Sequence, residues 1–232
     1  MIKHLTEVNS TSQYIKDNID SLNDLDIVFA DHQTAGKGRT GHSWEDNTNQ
    51  NILASIALKN QLLVKEYNIL SIATGVIVLE FLKNYLPPKA VFLKWPNDVY
   101  VNDKKICGIL LEGKLPDYVV IGIGLNINQK EFSTNNATSL SLETEYDFNL
   151  DDVRDLFLKH LLNSFNNIIN NKDKYINQFN RYNYLKNKPV SFNYNGDKKQ
   201  GIAGDINSDG SLQISVDEEV INVFFDEVSL IR

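Results

Sequence analysis

Three glycines fall within six residues, at Gly36, Gly38 and Gly41, and two permanent cations, Lys37 and Arg39, alternate with them. Glycine lets a backbone turn at positive φ and come close to a ligand. Successive N–H groups in such a turn form a concavity that binds anions. Lys and Arg add full positive charge, and Arg can grip two phosphate oxygens at once. The stretch from Gln33 to Trp44 therefore reads either as a loop for a phosphate or acyl phosphate, or as a basic surface hairpin turn.

Better-known glycine patterns do not fit. A dinucleotide fingerprint needs a helix directly after the glycines and an acid about 20 residues on. Here the loop runs into polar sequence, Ser43 to Asn51, and Lys59, Asn60 and Gln61 stand where the acid would be. A kinase glycine loop would be followed by His-Arg-Asp and Asp-Phe-Gly segments, and neither occurs. No Gly-Lys-Ser/Thr ends the loop, so it is not a Walker A motif.

At 232 residues the chain suits one domain or one domain with a small appendage. Its net charge of −7 argues against bulk binding to nucleic acid or membranes. The single cysteine, Cys107, rules out an intrachain disulfide and a cysteine-built metal site. The longest apolar run, Ile69 to Leu82, is interrupted by Ser71, Thr74 and Glu80 and is not a membrane span. Met1-Ile2-Lys3-His4 leads straight into polar sequence without a secretory leader, so a cytoplasmic protein is expected. Asn is abundant throughout and reads as compositional drift.

Ser10-Thr11-Ser12 precedes Tyr14, Ile15 and Ile19 as a helix start would. Ile27 to Ala30 reads as a buried strand feeding the glycine loop, and Ile52 to Leu58 as the next strand. Tyr67 to Leu86 carries helical spacing and stops before Pro87-Pro88. Val91 to Leu93 is a short strand. Val99 to Val101, Asn102-Asp103 and Lys104 to Ile106 form a hairpin pattern, followed by apolar strands at Ile109 to Leu111 and Val119 to Ile121. Asn128 to Asn149 looks loop-rich. An amphipathic helix runs from Val153 to Ile168, and Lys172 to Leu185 reads as a second one. After Lys188-Pro189, strands alternate with Asn195-Gly196 and Asp209-Gly210 turns, the last strand covering Val220 to Phe225. The fold class expected is α+β: an α/β-type mixed sheet flanked by helices over residues 1–187, with a small β domain over residues 188–232.

Read together, four stretches resemble the biotin protein ligases: Ser10-Thr11-Ser12-Gln13; Gln33 to Trp44; Lys94-Trp95-Pro96-Asn97-Asp98 with Lys105 to Glu112; and Gly122 to Asn128. The tail resembles that family's SH3-like domain. The resemblance implies a class II synthetase-like catalytic domain that forms biotinyl-5′-AMP from biotin and ATP. It further implies transfer of biotin to a lysine of a biotin carboxyl carrier protein. Such chemistry brings two anions together and relies on positioning and charge neutralisation, with no enzyme nucleophile. Cys107 is accordingly expected to be a buried filler.

By resemblance, Ser10, Thr11, Ser12 and Gln33 meet the ring of biotin, with Gly36, Gly38 and Gly108 allowing close approach. Lys37 and Arg39 hold the biotin carboxylate and the phosphates, and Lys105 bridges carboxylate and α-phosphate, so Arg39 and Lys105 are the catalytic pair. Trp44, Lys94, Asn97, Asp98, Asn126 and Asn128 are assigned to the ATP and adenylate side. Asp98 is placed either to orient Lys105 or to help hold Mg²⁺, the cofactor expected with ATP. Two positions depart from the family's commoner residues: Ser12 stands where Asn is usual, and Lys37 where Arg is often found, and lysine lacks the planar fork. The motif begins so early that the form without an N-terminal DNA-binding domain is expected, with no nucleic-acid or membrane partner and with a homodimer compatible. The rivals are a lipoate or octanoate ligase or transferase of the same fold, and a non-catalytic biotin sensor.

Overall fold

A seven-stranded mixed sheet carries the first part of the chain. The structure is a computed structural model that describes residues 1–194, 196–217, 219–224 and 230–231. The strands are β1 (Ile2–Val8), β2 (Ile27–Gln33), β3 (Asn51–Leu58), β4 (Val91–Lys94), β5 (Asp98–Val101), β6 (Lys104–Lys114) and β7 (Tyr118–Asn126). Their order is β1-β2-β3-β7-β6-β5-β4, with β1 parallel to β2 and every other pair antiparallel. The helices of this part are α1 (Thr11–Asp17), α2 (Gln61–Val64), α3 (Tyr67–Leu82), α4 (Leu140–Thr144), α5 (Leu150–Phe165) and α6 (Lys172–Arg181).

The two faces of the sheet bury different material, because side chains alternate along a strand. Ile27, Phe29, Ile56, Leu58, Ile121 and Ile123 join the main core with α3 and α5. α3 packs against β4, β5 and β6 on one side and α5 and α6 on the other, so it is buried nearly all round and shows no polar stripe. The opposite face of the sheet meets α1 through a small cluster of Ile15, Leu22, Val28, Ala57 and Val120. Beside that cluster the same face carries Ser55, Gly122, Gly108 and Gly124. Ser55 pairs with Gly122 across β3 and β7, and Gly108 pairs with Gly124 across β6 and β7. This patch without bulky side chains leaves a hollow over the middle of the sheet.

A second, antiparallel sheet has the order β11-β10-β9-β8-β12, from β8 (Pro189–Tyr194), β9 (Asp197–Ile206), β10 (Leu212–Val216), β11 (Glu219–Val223) and β12 (Leu230–Ile231). It docks on the first part through side-chain amides. Asn180 donates to the Ile206 carbonyl and accepts its N–H, Asn183 donates to the Gly204 carbonyl, and Trp95 Nε1 donates to the Gly210 carbonyl at 3.2 Å. Asn51, Asn97 and Asn128 bridge backbone in the same way. These five asparagines thus cross-link segments of backbone.

The architecture matches the expected class, with local differences. β1 was not anticipated, because it is a half-exposed edge strand with no clean alternation. α3 ends at Leu82 and α6 at Arg181, each four residues short of the expected stop, since the last turns are not α-helical. The hairpin strand from Lys104 and the apolar run at Ile109 are one continuous strand, β6. α4 is a short helix inside the segment that looked like loop. The Asn195-Gly196 turn and the end of the last expected strand at Phe225 include Asn195 and Phe225, which lie outside the described residues.

Candidate active site

α1, the glycine loop and strands β3, β6 and β7 enclose a cleft of about 480 Å³, its open mouth included, over the small-residue patch. One end is built by the start of α1. Ser10 is its N-cap, in extended conformation, with its hydroxyl accepting from Gln13 N–H. Capping and ligand contact are compatible, since Ser10 also lines the cleft. The Thr11 N–H and hydroxyl both donate to Gln33 Oε1, at 2.8 and 3.1 Å. That occupies the amide oxygen and turns the NH₂ of Gln33 to the cleft. The Gln33 backbone N–H is itself held by Asp46 Oδ2 at 3.3 Å, which also meets His32 Nδ1.

The glycine loop is a hairpin beside the cleft, as the turn reading has it, and its cations line that cleft. Lys37 and Ser43 form an isolated antiparallel bridge, Gly38 N–H donates to the His42 carbonyl, and Trp44 N–H donates to the Gly36 carbonyl. Its tip is a single 3₁₀ turn, Arg39–Gly41, where Gly41 has φ +80° and only glycine is at ease. Lys37, Gly38 and Arg39 line the cleft. Lys37 Nζ donates to Gln13 Oε1 at 3.0 Å. Beyond the loop, the Glu45 carboxylate accepts from the N–H and hydroxyl of Ser133. Two loops that border the site are thereby tied together.

At the other end stands Lys105. Its ammonium lies 2.6 Å from Asp98 Oδ1 and 5.4 Å from the centre of the Trp44 ring. The Lys105 backbone is clamped as well: its N–H donates to the Asn136 carbonyl and its carbonyl accepts from Thr138 N–H. In a regular strand Lys105 and Gly108 would face opposite sides. Here Val99 pairs with Cys107 and Tyr100 with Lys105, which leaves Ile106 without a partner across β5. That bulge returns Lys105 to the face that carries Asp98 and Gly108. The Asn97 side chain lines the cleft while donating to the Ile109 carbonyl.

Trp44 forms a wall. A Cβ on Gly124 would come within 2.3 Å of its ring and one on Gly108 within 2.6 Å, so the indole rests directly on bare backbone. Its Nε1 is buried with no hydrogen-bond partner among the described residues. The cleft lining holds three cations, Lys37, Arg39 and Lys105, and no carboxylate among the described residues, in a chain of net charge −7. Cys107 is fully buried one residue away, and burial pushes its thiol far up from the ordinary range, leaving it un-ionised and inert.

The structure thus gathers Ser10, Thr11, Ser12, Gln33, Lys37, Gly38, Arg39, Trp44, Asn97, Lys105 and Gly108 around one cleft, with Gly36 and Asp98 adjoining. Three residues from the sequence reading are not brought into it. Lys94 lies two strands beyond Gly108, its ammonium 3.1 Å from the Tyr100 hydroxyl and over the Tyr100 and Tyr184 rings. Asn126 is buried and donates to the Thr138 carbonyl, while its Oδ1 has no hydrogen-bond partner among the described residues. Asn128 has both ends of its amide engaged by Phe148 backbone and lines a separate polar depression. Ser55 and Glu45 are not singled out by the sequence, and Glu112, the end of the Lys105 segment, is given no role there. The only sequence signal for Ser55 is a lone hydroxyl within the run Ile52 to Leu58. Glu112 pairs with Lys16 at 2.7 Å and pins α1 to β6.

The model of the biotin/lipoate A/B protein ligase family matches residues 5–126. Among curated proteins, the bifunctional ligase/repressor BirA of Escherichia coli is 29% identical over 237 residues, covering 97% of this chain and 73% of that protein. The biotin–[acetyl-CoA-carboxylase] ligase of Mycobacterium tuberculosis is 38% identical over 118 residues, 49% of this chain and 44% of that protein. Among solved structures, biotin protein ligase from Aquifex aeolicus superposes with a TM-score of 0.83 at 24% identity, covering 100% of this chain and 98% of that one. Its complex with biotin and ATP gives 0.80 at 26%, with the same coverage. Since the matched segment is more than half of the 232 residues, the chain belongs to the biotin/lipoate A/B protein ligase family.

Proposed function

We propose that the α1 end of the cleft takes the ring of biotin, that the Lys105 end takes the α-phosphate of ATP, and that Lys37, Arg39 and Lys105 bring the two anions together. The chain is a ligase that activates biotin as biotinyl-5′-AMP and transfers biotin to a lysine of a biotin carboxyl carrier protein. A biotin carboxylate oxygen attacks the α-phosphorus. The new O–P bond forms as the bond to the bridging oxygen breaks, and pyrophosphate leaves with that electron pair. In the second step the neutral amine of the carrier lysine attacks the acyl carbon and AMP departs. The observation that carries this reading is that, among the described residues, three cations and no carboxylate line a cleft whose far end is built of hydroxyls and an amide.

Lys105, oriented by Asp98 at 2.6 Å, supplies charge where negative charge accumulates on the phosphate. Arg39 is suited to two phosphate oxygens, and Lys37 to the carboxylate. Neither step asks for a protein nucleophile, which agrees with an un-ionised Cys107. Mg²⁺ is part of the proposal. It commonly binds through one or two carboxylates plus substrate phosphates, and Asp98, the carboxylate nearest Lys105, fits that sparse mode. When bound, the metal would neutralise phosphate charge.

The proposed division places the catalytic part at residues 1–187 and the small β domain at 188–232. The −7 charge is the ground for assigning no nucleic-acid partner. The outer edge of β1, which has no strand neighbour among the described residues, is where a second copy would add in a homodimer. No helix among the described residues is long and apolar enough to cross a membrane. A cytoplasmic location, where ATP and the carrier meet, belongs to the same proposal. The test is incubation with ATP, Mg²⁺, biotin and a carrier domain. A biotinylated carrier lysine in the mass spectrum supports it. Absence of pyrophosphate release would leave a biotin sensor, and a thermal shift with lipoate but not biotin would point to the lipoate branch of the family.

A further inference from the structure

We propose that Ser55, which does not touch the cleft, fixes the direction of the hydrogen bonds at its α1 end and makes Ser12 an obligatory acceptor for a ligand N–H. The inference rests on the biotin reading of the site. Its first step is the Gln33 amide. A backbone N–H can only donate, so the atom 2.8 Å from Thr11 N is the amide oxygen. The Thr11 hydroxyl lies 3.1 Å from the same oxygen, and only the hydroxyl has a proton to give there. Thr11 Oγ1 must then accept from Ser55 Oγ, 2.7 Å away. With its one proton committed, Ser55 Oγ must accept from Ser12 Oγ at 2.9 Å. The chain therefore has one polarity, Ser12 to Ser55 to Thr11 to Gln33.

The consequence lies at the two ends. Ser12 meets the cleft with lone pairs alone, and Gln33 meets it with the hydrogens of its NH₂. A ring urea, with N–H donors beside a carbonyl acceptor, matches both, whereas a dithiolane or a plain alkyl end matches neither. Ser55 is 1% exposed, so water does not compete for its proton. Gly122, its partner across the sheet, makes room: a Cβ there would lie 2.7 Å from Ser12 Oγ. Ser55 is thus a positioning residue that acts through Ser12 and Thr11.

The experiment measures binding of biotin, and of biotin methylated on one or the other ring nitrogen, by calorimetry to wild type, Ser55→Ala and Ser55→Cys, with the KM for ATP alongside. Losing the directed proton should weaken biotin about tenfold, and wild type's preference for biotin over a methylated analogue should shrink by a similar factor. The KM for ATP should stay near wild type. Ser55→Cys keeps the side-chain shape with a somewhat larger terminal atom but donates weakly, so it should behave like Ser55→Ala, and it carries the test if the alanine variant does not fold. Equal weakening of biotin and both methylated analogues would overturn the inference, because that is what a merely structural role would give. Biotin affinity and preference within about twofold of wild type in both variants would overturn it too. A wild type that does not bind biotin at all would instead bring down the functional reading, and this inference with it.

Discussion

Gly124→Ala tests the placement of Trp44 most directly. The added Cβ would sit 2.3 Å from Trp44 Cε2, 2.6 Å from Cζ2 and 2.7 Å from Nε1. Ordinary carbon–carbon contact begins near 3.5 Å, so the indole must retreat by about 1.2 Å. The strand cannot yield instead, because Gly124 is paired on both sides, with Leu53 of β3 and Gly108 of β6. Overpacking of this kind costs about 1–3 kcal/mol. If that cost falls on keeping Trp44 against the sheet, biotin should bind about 5- to 150-fold more weakly. The assay is calorimetric titration with biotin, alongside tryptophan emission. Trp44 is one of two tryptophans, and the other, Trp95, is buried and bonded to Gly210 elsewhere, so a change in emission on mutation or biotin binding reports on Trp44. A folded Gly124→Ala protein with wild-type biotin affinity and unchanged emission would refute the claim that Trp44 is the wall of the site.

Lys105→Ala should slow pyrophosphate release by about 10²–10³-fold, the usual effect of removing one preorganised donor, and near wild-type release would remove Lys105 from the mechanism. Cys107→Ala should leave turnover largely intact, and the native thiol should resist iodoacetamide until the chain unfolds, because burial holds it un-ionised; loss of chemistry in a folded variant would count against a free adenylate. Gly75→Ala in α3 should raise the melting temperature by about 2–4 °C, since its Cβ would meet Leu93 Cδ2 at an ordinary 3.5 Å and alanine favours helix by up to about 1 kcal/mol; a lower melting temperature would show the core tighter than described. The Ser211 hydroxyl and N–H hold the Asp209 carboxyl below the usual range, against a smaller opposing effect of burial. Its stabilising contribution is therefore present above the unfolded value of about 3.9 and lost as pH falls through the lowered folded value, so Asp209→Asn should lower the melting temperature near neutral pH and not in strong acid.

What the sequence determined by itself is local. Ser10 caps α1 because its hydroxyl reaches an N–H three residues on, which is a property of a few adjacent residues. Asn102 and Asp103, both at positive φ, turn β5 into β6, and residues of that type mark such a turn wherever they occur. The glycines and cations of the loop, the Lys-Trp-Pro-Asn-Asp segment and the Lys105 to Glu112 segment carried the family resemblance, because chemistry that joins two anions needs those residue types. What only the tertiary structure decided is which of them meet. The bulge at Ile106 puts Lys105 and Gly108 on one face, and it exists only as a register between two strands. Gly108 and Gly124 matter because a tryptophan from a distant loop lies on them. Ser55 joins the site through contacts across more than forty residues of chain. Lys94, Asn126 and Asn128 looked equivalent to their neighbours in the motifs, yet the Lys94 ammonium, the Asn126 NH₂ and the Asn128 amide bond to groups outside the cleft lining. Side-chain direction in a strand reverses with every residue, and pairing partners are chosen by the whole sheet.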